Sequence, residues 1–95
     1  MYILVMYDIG SNAARRRVVR ACKDEGLRRV QYSVFVGTAG MEQHERLSEV
    51  MRVALGDAPG VIHVMPLHRE SLKRLTEIFN PWPEEEDEDG HQGAA

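Results

Sequence analysis

The 95-residue sequence predicts an α+β fold in a single small domain, on three observations. Apolar, strand-like runs occupy residues 2–8 and 61–67. Residues 12–25 and 41–55 carry helical periodicity and alternate with the strand-like segments. A third strand-like stretch, "LRRVQYSVFVG" at 27–37, lies between the two helices. This β-α-β…α-β order fits a ferredoxin-like βαββαβ sandwich, with two helices on one face of an antiparallel sheet.

Each element has its own justification. Residues 2–8 are strand formers in a nearly continuous apolar run, which predicts a central strand covered on both faces. "GSN" turns the chain, with Ser11 or Asn12 as helix N-cap. In the helix at 12–25, Ala14, Val18, Ala21 and Cys22 share one face, and Gly26 stops it. In 27–37, Val30, Tyr32, Val34 and Val36 alternate against Gln31, Ser33 and Phe35. The fold requires a hairpin within 28–38, yet no Asn-Gly-type turn is present there. Either the chain bends sharply near Tyr32–Ser33 or one strand is very short. The helix at 41–55 gathers Leu47, Met51, Ala54 and Leu55 on one side, and "GDAPG" is a loop. In 61–67, Pro66 lacks an N–H, which suits an edge or a strand end. "RESLKRL" reads as a short helix, and "TEIFN" (76–80) either continues it or forms a short extra C-terminal strand. The predicted organisation is a ferredoxin-like domain over 1–80 and an acidic, disordered tail over 81–95.

Composition narrows the function classes. Hydrophobic content is 43% and mean hydropathy −0.38, as expected of a soluble globular protein. The longest apolar run, Met1 to Tyr7, is too short to span a bilayer and has no signal-peptide pattern around it. Cys22 is the one cysteine, which excludes an internal disulfide and a Cys-x-x-Cys metal site. The expected compartment is the cytoplasm. The net charge of −3 conceals an asymmetry, because six of the 15 acids form the run "EEEDED" at 84–89. The other nine acids face 12 Lys+Arg, so residues 1–83 carry about +3.

Asp8 is the first candidate for chemistry. A carboxylate is a poor strand former, but at a strand end facing a loop it is well placed to hold a divalent cation. The plainer alternative is that it caps the loop by accepting hydrogen bonds from the Gly10–Asn12 amides. Arg15, Arg16, Arg17 and Arg20 follow in the first helix, and Arg15 and Arg17, flanking its apolar face, lie in the first turns, where positive charge opposes the helix dipole. Arg16, Arg20 and Lys23 lie opposite the apolar face, so they either bind phosphates or form a solvated surface. Helical side chains lean toward the N-terminus, which brings Arg15 toward the Asp8 loop. Arg28 and Arg29 interleave with Tyr32 and Phe35, a combination that suits a nucleic-acid backbone and its bases. The histidines have no partner at metal-ligand spacing and read as structural or exposed.

"MYILVMYDI", the Arg-rich first helix, "GLRRVQYSVFVG" and "VMPL" occur here in a specific order. Over about residues 1–80 the chain resembles the second CRISPR-associated protein family, the small adaptation subunit also described as a metal-dependent endonuclease. The resemblance implies a ferredoxin-like homodimer with strand-end aspartates facing each other across the twofold and binding Mg²⁺ or Mn²⁺. By position, Asp8 would be the metal ligand and a catalytic residue, with Tyr7, Arg15, Arg17, Arg29 and Phe35 supporting it. Arg15, Arg16, Arg17, Arg20, Arg28 and Arg29 would bind nucleic acid. The implied function is metal-dependent cleavage of single-stranded RNA or double-stranded DNA in CRISPR adaptation and antiviral defence. The alternative is a non-catalytic nucleic-acid-binding scaffold of the spacer integration complex. The CRISPR integrase subunit is the implied partner, and no membrane is involved. Residues 76–80 are the candidate for a strand that pairs with the partner's sheet. Two features depart from the family pattern. "IGSN" after Asp8 carries no further acid, and the 84–89 run would repel nucleic acid near it.

Overall fold

The computed structural model describes residues 1–38, 40–81 and 83. The elements are β1 (Tyr2–Ile9), α1 (Asn12–Asp24), β2 (Arg28–Gln31), β3 (Val34–Thr38), α2 (Met41–Leu55), β4 (Gly60–Leu67) and α3 (Arg69–Lys73). The four strands form one sheet in the order β2-β3-β1-β4, with every neighbouring pair antiparallel. That is the ferredoxin-like arrangement the sequence predicts, with α1 and α2 packed together over one face.

β1 is internal, but it is covered on one side only. Ile3, Val5, Tyr7 and Ile9 are buried under the helices. Tyr2, Leu4 and Met6 are half-buried and Asp8 is exposed. The expectation of cover on both faces is therefore corrected. Both helices lie over the odd-numbered residues, and strand alternation sends the even-numbered ones to the open face. There Leu4 lies between Val36 and Met65, and Met6 between Val34 and His63.

α1 begins where Ser11 Oγ accepts the Ala14 N–H at 3.1 Å. It ends at Gly26, whose φ of 83° lets Leu27 N–H reach Cys22 O and Gly26 N–H reach Lys23 O, both at 3.0 Å. Its Ala14, Val18 and Cys22 meet Leu47 and Met51 of α2 in the core. Arg46 on α2 holds Glu25 through two hydrogen bonds of 3.2 and 2.8 Å, fastening the C-terminal end of α1 to its neighbour.

The hairpin missing from the sequence signals exists by both routes at once. β2 has only four residues, and the chain turns at Tyr32–Ser33. A bulge lies between Arg29 and Gln31. The single alternation read through 27–37 is thus broken, with Val30 exposed and Phe35 fully buried. Tyr7 replaces the usual turn chemistry. Its backbone N–H donates to Ser33 O at 3.1 Å and its hydroxyl to Tyr32 O at 3.1 Å.

β4 is an edge strand, which accommodates Pro66 opposite Ile3. The extra strand expected at 76–80 is not formed within this chain. Residues 75–80 run beside Arg29–Ser33, lining a shared groove of about 920 Å³, without joining the β2 ladder. Leu75 and Ile78 stay exposed at 68% and 89%, so the segment buries little apolar surface to hold it in a ladder. The acidic run and the remainder of the tail, 84–95, lie outside the described residues.

Candidate nucleic-acid interface and strand-end carboxylate

The site grows from Tyr7. It is buried because β1 alternation places it under α1, and burial pushes its phenol above the usual 10.0 against the opposing pull of Arg29. Arg29 Nη2 lies 3.4 Å from the Tyr7 hydroxyl, which can accept its proton because its own hydrogen goes to Tyr32 O. The Arg29 guanidinium carbon sits 5.1 Å from the centroids of both the Tyr32 and Phe35 rings. Two aromatic faces and a phenol thus hold one exposed cation in place. Phe35 itself is fully buried and stacks on Tyr7 at 6.5 Å, so it touches no ligand and serves as the platform under Arg29.

α1 forms the opposite wall. Tyr7, Asn12, Arg15, Arg16, Arg20, Lys23, Asp24, Arg29 and Tyr32 line an open cleft of about 680 Å³. Arg15 does lean back toward the loop after β1, as expected. It donates to Ile9 O at 2.8 Å and also to Asn12 Oδ1, which fixes its guanidinium at the cleft mouth. Arg16, Arg20 and Lys23 follow at helical spacing along one stripe, exposed, and none is ion-paired with a described carboxylate. An unpartnered row of this kind attracts a polyanion. Lys23 and Tyr32, both named beside the arginines in the sequence, lie here with them. The 16-20-23 spacing carried that signal for Lys23 and the basic–aromatic stretch for Tyr32, but that they line one cleft depended on the turn.

Other expected residues fall elsewhere. Arg17 points to α2, where Nε donates to Ala54 O at 2.8 Å and Nη2 to Leu55 O at 3.3 Å. It closes the C-terminal end of α2 and is not in the cleft. Arg28 pairs with Val36 and belongs to the open sheet face, opposite in sense to Arg29, which pairs with Phe35.

Asp8 also lies on the open face, because its neighbours Tyr7 and Ile9 point under the helices. It pairs with Val61, and His63 is its diagonal neighbour across β4. No hydrogen bond to its carboxylate exists among the described residues, so it does not cap the Gly10–Asn12 loop; Ser11 is the cap instead. The acid and the basic cleft are therefore on opposite sides of the sheet. Among the described residues no three His, Cys, Asp or Glu side chains gather to hold a metal. One exposed carboxylate suits a divalent cation chemically, but it supplies a single ligand where such an ion takes several. No helix among the described residues is long and apolar enough to cross a membrane.

Fold and site together define a small ferredoxin-like α+β domain with a basic cleft beside α1, whose Arg16, Arg20 and Lys23 have no described carboxylate partner, and a strand-end carboxylate on its open face. The family model described as CRISPR associated protein Cas2 matches residues 1–75. The chain belongs to that family. A relative from Desulforudis audaxviator, named CRISPR-associated endoribonuclease Cas2, is 37% identical over 87 residues, covering 90% of this chain and 82% of that one. A CRISPR-associated endoribonuclease Cas2 from Chloroflexus aurantiacus is 42% identical over 62 residues, covering 64% of this chain and 73% of the relative. Among solved structures, Streptococcus pyogenes Cas2 at pH 6.5 superposes with a TM-score of 0.69 at 22% identity, covering 83% of this chain and all of that one. That last likeness bears on the fold.

Proposed function

We propose that the chain is a CRISPR-associated endonuclease of the adaptation machinery, holding RNA or DNA in the α1 cleft and hydrolysing phosphodiesters at Asp8 as a twofold homodimer. The observation that carries this reading is the stripe of Arg16, Arg20 and Lys23, without described carboxylate partners, beside an Arg29 seated on aromatic rings. Phosphates neutralise the stripe, and Arg15 and Arg29 orient the strand because their own hydrogen bonds fix them. The open sheet face carries half-buried Leu4 and Met6 and exposed Met65, a surface suited to a second copy. Pairing there brings two Asp8 carboxylates to one seam, where they would hold Mg²⁺ or Mn²⁺. When bound, such a cation activates water and offsets charge building on the phosphate. A strand gripped in the cleft must pass over the end of β1 to reach Asp8. The CRISPR integrase subunit is the expected partner of the assembly.

Asp8→Asn should abolish metal-dependent cleavage of labelled RNA or DNA while leaving affinity unchanged. Arg16→Glu/Arg20→Glu should weaken affinity and its salt dependence. Equal residual cleavage by wild type and Asp8→Asn would sink the catalytic reading. A second reading, a non-catalytic scaffold for spacer integration, is favoured by the placement of Asp8 and the cleft on opposite faces. Its mark is spacer acquisition that survives Asp8→Asn with folding and dimerisation intact.

A further inference from the structure

We infer that the basic cleft is also the docking surface for the chain's own acidic segment, 84–89, which competes there with nucleic acid. This rests on the reading of the cleft as the nucleic-acid interface. Charge is the first ground. The segment "EEEDED" carries six carboxylates in succession. The cleft presents Arg15, Arg16, Arg20, Lys23 and Arg29 against one acid, Asp24. Arg16, Arg20 and Lys23 have no ion pair with a described carboxylate.

Chain path is the second. Residues 75–80 share a groove with Arg29–Ser33, and Arg29 and Tyr32 also line the cleft. The chain therefore arrives next to the cleft just before its acids begin. Asn80 is followed by Pro81-Trp82-Pro83, a sequence that cannot continue a helix and favours an extended link. Glu84 is four residues beyond Asn80, within about 14 Å of extended chain. Length is the third ground. Six extended residues span about 20 Å, enough to cover the roughly 10 Å from Arg16 to Lys23 along α1 and continue to Arg29. Carboxylates along such a strand repeat at a few ångströms and meet the same donors that phosphates would.

Two measurements test this. In the first, without nucleic acid, a fluorescent peptide of residues 80–95 is titrated into the full chain with all six acids changed to Gln or Asn. Anisotropy should show binding at low salt, lost at high salt and lost in Arg16→Glu/Arg20→Glu. In the second, labelled single-stranded RNA and duplex DNA are titrated into chains with native or neutralised tails. Neutralising the tail should tighten binding about tenfold at 50 mM salt and less than about twofold at 500 mM. In the Arg16→Glu/Arg20→Glu background that gain should disappear. Absence of peptide binding, or an equal gain in both backgrounds, overturns the inference, the latter because it marks repulsion at a distance. If no form binds nucleic acid, the proposed function fails, while the peptide titration still decides the docking.

Discussion

Arg17→Ala should loosen the fold while leaving the grip on nucleic acid nearly intact, the reverse of what its place in an arginine triplet suggests. The last carbonyls of a helix have no intrahelical partners. Arg17 supplies them for Ala54 and Leu55, at 2.8 and 3.3 Å, from a residue 37 positions away in sequence. A cation at a helix C-terminus contributes about 0.3–1 kcal/mol through the macrodipole, and its hydrogen bonds add a similar amount after discounting for exposure. The loss should be about 1 kcal/mol, equivalent to about 4–8 °C in Tm for a domain this size. Arg17→Lys retains the charge without the two-pronged contact and should recover about half. The assay is urea and thermal unfolding at fixed protein concentration, beside salt-dependent binding of labelled nucleic acid. Arg16→Ala is the control. It should keep its unfolding midpoint but lower the salt slope by about 0.7–0.9. An Arg17→Ala protein with unchanged stability and the Arg16→Ala binding defect would refute the assignment.

Three more outcomes follow from the core. In Gly37→Ala the new Cβ meets Leu27 Cδ2 at 2.5 Å, so the variant should lose about 1–2 kcal/mol in urea unfolding, and Leu27→Ala should partly relieve it. Phe35→Leu should cost about 1–3 kcal/mol and also weaken nucleic-acid binding by unseating Arg29, whereas Cys22→Ala should leave binding unchanged. Burial pushes the Cys22 thiol from 9.0 up to about 12, so its contribution to stability is fully present below pH 9 and lost as pH rises toward 12. Stability measured from pH 8 to 11 should fall less steeply in Cys22→Ala, with the Tyr7 share of the decline remaining, and a thiol reagent at pH 8 should label Cys22 only after unfolding.

What the sequence made legible was local and periodic. Ala14, Val18 and Cys22 recur at helical spacing and are the buried residues of α1, and Leu47 and Met51 do the same for α2. Gly26 marked the end of α1 and the pair Ser11/Asn12 its start, with Ser11 as the cap, because capping is a matter of adjacent residues. Distant interactions were not legible. The Tyr32–Ser33 turn is held by Tyr7, from another strand, so no local turn signature was needed. The helical wheel already set Arg16 on the outer face and Arg17 beside the apolar one, but the partners of Arg17 lie on another helix, and no spacing names them. Asp8 does stand near the end of β1, as its sequence position suggested, but its side of the sheet depended on where both helices packed.

Tyr7 and Asp8 are consecutive, and a sheet one chain thick stands between their side chains. The parity of β1 therefore assigns the tasks. Inserting one residue before Tyr7 would exchange the phenol and the carboxylate, driving an acid into the core and unhooking the turn. Length changes in this strand should be tolerated far less than substitutions on either surface. Conversely, with the strand length kept, substitutions in the cleft should leave the acid in place, and replacing the acid should leave the cleft unchanged. The parity of one strand ties the two surfaces together, yet each is open to separate revision.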